Sequence, residues 1–176
     1  MYNRQKSSFL EKQMKSEIDK LLNSLAKQPN FMVMHFAKDK KYINQIQSWC
    51  KDGNLCNEYR VLTFSTEVEE ELKVFEDEIT KVKYLTSKRP RYSMQGKFYD
   101  YLFVFDLPQN LEDFLKKVYG SLKNGAPSFI FLESRDKNFA YRVESILIEC
   151  NFVATTIMEI DNLLVVSARK MHGWGG

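Results

Sequence analysis

Apolar positions along this chain switch between a helical period and short continuous runs, the signature of helices alternating with buried strands. Leu10, Met14, Ile18, Leu21, Leu22 and Leu25 share one face of a helix expected over residues 8–27, with Ser8 and Glu11 spaced as a capping box. Pro29 and Asn30 end it, and FMVMHFA at 31–37 follows as a buried strand. A second helix carries Ile43, Ile46, Trp49 and Cys50 on one face, with Gly53 near its end. YRVLTF at 59–64 is a strand, Thr66 and Glu69 cap a helix bearing Val68, Leu72 and Phe75, and a weaker strand spans 81–86.

The segment SKRPRYSMQGK at 87–97 is polar, broken by Pro90 and Gly96, and reads as a loop. Residues 101–105 form an almost wholly apolar strand, as expected where helices cover both faces of a parallel sheet. Asn110 caps a helix with Leu111, Phe114, Leu115, Val118 and Leu122 on its buried stripe, and Gly125 is its expected stop. A strand at 128–132 follows, then a helix from about 138 to 150 with Asn151 supplying the left-handed turn. Strands at 153–160 and 163–169 flank Asp161-Asn162, a two-residue hairpin turn. Parallel neighbours need a crossover, and a two-residue turn forces antiparallel pairing. The pattern therefore specifies an α/β fold, three-layer and Rossmann-like, with a mostly parallel seven-stranded sheet closed by a C-terminal antiparallel hairpin.

Composition narrows this little. At 176 residues the chain suits one well-filled core. The division expected is an N-terminal amphipathic helix extension over 1–30, the domain proper over 31–170 and a flexible tail over 171–176. A net charge of +3 does not by itself argue for nucleic acid. Cys50, Cys56 and Cys150 are odd in number and lack CxxC spacing, which excludes a disulfide scaffold and a zinc ribbon. No apolar stretch approaches the length of a membrane span and no secretory leader opens the chain, so a reducing cytoplasm and no membrane association are expected.

From Tyr99 to Lys170 the chain resembles the class I S-adenosylmethionine-dependent methyltransferases. YDYLFVFDL is similar to their fourth strand, FLKKVYGSLKNGAPSFIFLE to the following helix and fifth strand, and ECNFV to the approach to the sixth. The resemblance implies a cofactor site at the carboxyl ends of the strands, near the point where strand order reverses. Members of the family have a glycine turn after the first strand, an acidic residue after the second and an Asp or Asn after the third. Here those places hold Ala37 to Lys41, Ser65 with Glu67 nearby, and Ser87. Only Asp106, after the fourth strand, is a well-placed carboxylate.

Ala37, Ser65, Glu67, Ser87 and Asp106 are thus the candidate cofactor contacts, and Asp106 is also the candidate for proton transfer or substrate orientation. The expected outcome is loss of standard cofactor binding, with S-adenosylmethionine as the possible cofactor if binding persists through altered contacts. Function would then run through protein interaction, as a homodimer or partner subunit joined by the N-terminal helix. A weaker alternative uses Lys38, Lys40, Lys41, Lys88, Arg89 and Arg91, two basic loops on one sheet edge, to bind anions or nucleic acid with Tyr92 stacking on bases. His35, inside an apolar strand with only His172 elsewhere, reads as a buried structural histidine, and no metal site is expected.

Overall fold

A computed structural model describes residues 16–86 and 98–173. Its strands are β1 (Phe31–Phe36), β2 (Cys56–Thr63), β3 (Thr80–Tyr84), β4 (Tyr101–Val104), β5 (Pro127–Leu132), β6 (Phe152–Ile160) and β7 (Leu163–Lys170). They form one sheet in the order β3-β2-β1-β4-β5-β7-β6. The first five are parallel, while β7 runs antiparallel to both β5 and β6. Order reverses between β1 and β4, so the crevice of the fold opens at their carboxyl ends.

Among the described residues, five α-helices cover the sheet: α1 (Glu17–Ser24), α2 (Ile43–Lys51), α3 (Thr66–Leu72), α4 (Leu111–Ser121) and α5 (Lys137–Glu149). Alternation along each strand divides the core into two layers. Phe31 and Val33 of β1 join Ile18, Leu22, Ile43, Ile46, Trp49 and Leu72 on one face. Met34 and Phe36 join Phe114, Leu115, Val118, Ala140, Val143 and Leu147 on the other. No helix among the described residues is long and apolar enough to cross a membrane.

Several boundaries differ from the sequence expectation for local chemical reasons. The helix expected to run unbroken over 8–27 is interrupted at Ser16, an N-cap at φ −56°, ψ 156° whose hydroxyl accepts from the Asp19 amide at 3.3 Å. Asp161, in the distant β6–β7 turn, accepts from the amides of Glu17 and Ile18 at 2.9 and 3.2 Å and fixes the same helix start. Ser8, Leu10, Glu11 and Met14 lie outside the described residues. Helix α3 is capped by Ser65 rather than Thr66, because the Ser65 hydroxyl is the one that accepts from the Val68 amide.

Helix α4 stops at Ser121, before Gly125, because Leu122 turns extended and is buried against Tyr99, with which it forms a parallel bridge. The closing turn is as expected. Asp161 and Asn162 have φ of 49° and 66°, the twin left-handed residues of a type I′ hairpin.

Candidate active-site crevice

The crevice is built from what leaves the carboxyl ends of β1, β4 and β5. Ala37 prolongs the β1 ladder, its amide donating to the Leu62 carbonyl at 2.8 Å, and it is buried. The chain then turns through Lys38 to Tyr42 into α2. Asp39 accepts from the Lys41 amide at 2.6 Å, and Tyr42 takes φ 67°, a left-handed conformation that glycine adopts most easily. The residue placed there has one of the largest side chains available. Its ring is buried and stacks on Phe105 at 5.2 Å, with Lys41 Nζ over it at 4.8 Å.

Phe105 in turn stacks on Phe131 at 4.0 Å and 10°. The rings of Tyr42, Phe105 and Phe131 therefore form a column across the ends of α2's loop, β4 and β5. On the opposite face of the sheet, Phe36 packs on Phe64 and Phe114 at 5.8 and 4.7 Å. Among the described residues, a cavity of about 30 Å³ at this edge is lined by Lys38, Tyr42, Phe105, Phe131, Glu133 and Leu163. That is room for a water or two, where cofactor sites usually offer roughly 300 Å³ or more.

Asp106, which follows Phe105, is half-buried, its amide donating to the Phe36 carbonyl at 3.2 Å. Burial raises its carboxyl above the ordinary range; Lys38 opposes the rise and Glu133 adds to it. Lys38 is itself paired with Glu133 at 2.7 Å, and that hydrogen bond raises the lysine further. The structure thus brings Asp106, Lys38 and Glu133 together. Glu133 was invisible in the sequence, since only β4–β5 pairing carries the end of β5 to the same edge.

Ser65 and Glu67 serve the start of α3. Ser65 donates to Glu67 Oε2 at 2.7 Å, and this hydroxyl lowers the Glu67 carboxyl. Both hydroxyl functions of Ser65 are thereby engaged within its own helix cap. Lys40 and Lys41 are exposed at the crevice lip. Ser87, Lys88, Arg89, Arg91 and Tyr92 lie outside the described residues, as does Trp174.

His35, behind the aromatic column, is fully buried and its Nδ1 shares a 2.7 Å hydrogen bond with the Tyr59 hydroxyl. Burial pushes its pKa down to about 3, so the ring is neutral. Tyr42, Phe105 and Phe131 are the residues that sequence reading missed. Tyr42 sits in a loop without periodicity, and the others look like ordinary strand apolars; their convergence is tertiary.

No protein-family model matches the chain, and no curated protein does. Solved structures do. A putative methyltransferase complexed with the Trm112 methyltransferase activator from Haloferax volcanii superposes with a TM-score of 0.70 at 10% identity, over 89% of this chain and 89% of that one. The tRNA (m1A58) methyltransferase TrmI of Aquifex aeolicus gives 0.63 at 16% identity, over 89% of this chain and 67% of that one. CurJ carbon methyltransferase gives 0.63 at 12%, over 88% of this chain; the chain spans only about half of its length, 52%. Identities this low carry the backbone arrangement and nothing finer, and what they carry is consistent across all three: this chain has a class I S-adenosylmethionine-dependent methyltransferase-like fold.

Proposed function

We propose that this protein is a methyltransferase-fold protein that has lost standard S-adenosylmethionine binding and works through contacts with other protein chains. The observation that carries this reading is the aromatic column of Tyr42, Phe105 and Phe131, which fills the crevice beside the ends of β1, β4 and β5 and borders a cavity of only about 30 Å³. A bulky residue occupies the left-handed position of the first loop, and the polar side chains after β2 are engaged in capping α3. These features of the described residues support a crevice closed to the standard cofactor. Partnership is supported by analogy with the Haloferax volcanii structure, whose methyltransferase is in complex with an activator. On this reading residues 31–170 are the methyltransferase-like domain, and residues 1–30 an extension whose described part packs onto it. Its three cysteines are free and buried, which suits a reducing cytoplasm.

A second reading has one observation in its favour. Asp106 ends β4 with a carboxyl raised by burial, the kind of group that could orient an amine or take its proton in an active methyltransferase with altered cofactor contacts. Calorimetric titration with S-adenosylmethionine and S-adenosylhomocysteine separates the two. The first reading expects no saturable heat and no thermal shift up to about millimolar ligand, which corresponds to roughly 4 kcal/mol of binding. A dissociation constant below that, abolished by Asp106→Ala, would establish the second.

A further inference from the structure

The two edges of the sheet are built differently. Strand β3 faces β2 through its odd-numbered residues, since Tyr59 donates to the Ile79 carbonyl and Leu85 to the Thr63 carbonyl, each at 2.8 Å. The amides of Thr80, Val82 and Tyr84 therefore face away from the sheet. Each is held by a carboxylate: Asp77 Oδ1 at 2.8 Å, Glu76 Oε1 at 3.1 Å and Glu69 Oε1 at 3.0 Å. Lys81 and Lys83 stand exposed on the same strand. Among the described residues of β3, the outward amides are thus taken, and the strand confronts an incoming one with charge.

Strand β6 forms the opposite edge. Its two-residue turn makes Ile160 and Leu163 a hydrogen-bonded pair, so Glu159 opposite Leu164 and Ile157 opposite Val166 occupy non-hydrogen-bonded positions. The N–H and C=O of Ile157 and Glu159 consequently point outward. Among the described residues no side chain takes them as β3's carboxylates take theirs. Thr155, Thr156, Ile157 and Ile160 are β-branched, and Glu159 is the one charge of the segment.

We propose that β6 is a docking edge for a second copy of this chain, paired antiparallel about a twofold axis at Met158. The inference rests on the interaction half of the proposed function and names its surface. In this register Ile157 stands opposite Glu159 of the second copy, and Glu159 opposite its Ile157, giving four main-chain hydrogen bonds. Each charge then faces an apolar residue rather than its like. The bulge between Val153 and Thr156, where Ala154 takes φ 52°, bends the strand away beyond the paired stretch. A twofold operation uses the edge up, so assembly stops at the dimer. An unrelated strand would find the same donors, but a second copy brings a strand of equal length that sets Ile157 against each Glu159 and repeats the contact by symmetry.

Sedimentation equilibrium of the full chain across the micromolar range tests this. The expected result is a dimer that Glu159→Pro weakens roughly ten- to hundredfold, since each of two symmetric bonds contributes about 0.5–1.5 kcal/mol and the proline removes an outward donor that the hairpin does not use. Circular dichroism and a cooperative melt should show that variant folded. A short bismaleimide should link the Met158→Cys chains into covalent dimers, because the axis places the two thiols together. A monomeric wild type, a dimer indifferent to Glu159→Pro, or no link through position 158 would each overturn the proposal. So would hydrogen exchange showing the Ile157 and Glu159 amides protected in a monomer, which would mean that another segment of the same chain covers the edge. None of these outcomes touches the cofactor titration, which reads the other end of the strands.

Discussion

Tyr42 illustrates how one residue shapes a crevice. A left-handed conformation costs a non-glycine residue about 1 kcal/mol or more, while burying an aromatic ring returns roughly 1.5–3 kcal/mol, so packing on Phe105 outweighs the backbone strain. The sequence showed no glycine turn after the first strand but not that Tyr42 would take the left-handed conformation there. His35 makes the residue scale testable in solution. It is neutral in the fold, with a pKa near 3, whereas the unfolded chain protonates it near the ordinary 6.5. The unfolded state therefore binds more protons between those values, and stability, complete above about pH 6.5, falls as pH is lowered through the window. Urea unfolding should show the protein roughly 2 kcal/mol less stable at pH 5 than at pH 7, the slope approaching about 1.4 kcal/mol per unit only well below pH 6.5. His35→Gln should flatten that dependence; an unchanged slope would mean that another group carries it.

At the scale of elements, caps and edges set boundaries that periodicity only approximated. Ser16, Ser65, Asn110 and Asp136 each accept from an amide in the first turn of the helix they precede. Spacing alone pointed to Thr66 as the cap, and the path out of β2 gives the role to Ser65. Ser65→Ala should lower stability by about 1 kcal/mol in denaturant unfolding, whereas Thr66→Ala should leave it within about 0.5 kcal/mol. Equal losses from the two would return the cap to Thr66. The carboxylates along β3 were not legible in that role: Glu69 had the spacing of a capping-box partner but accepts from the Tyr84 amide, and Glu76 and Asp77 read as ordinary polar positions.

Across the whole molecule, α1 is joined to the rest at both levels of chemistry. Its backbone start is fixed by Asp161 of the closing hairpin, and Ile18 and Leu22 are 1% exposed within the same core as Val33, Ile43 and Trp49. The described part of the N-terminal stripe is thus absorbed by the chain's own domain, which moves the search for a partner surface from this helix to the β6 edge. Leu22→Ala should destabilise the protein by about 2–5 kcal/mol, as expected of a truncated core leucine, without changing its mass in sedimentation. A change in mass with unaltered unfolding would instead make α1 the interface.

The sequence by itself determined the order and type of the elements, the parallel sheet and its closing hairpin. These follow from local periodicity and from turn residues whose chemistry acts over a few positions, as Asp161 and Asn162 do. Only the tertiary structure decided the character of the crevice. Lys38, Tyr42, Phe105, Asp106, Phe131 and Glu133 span most of a hundred residues, and their meeting depends on strand order and register rather than on any neighbour in the chain. The contrast between a shut edge and an open one has the same origin. Which amides point outward is set by pairing, and pairing is a property of two strands at once.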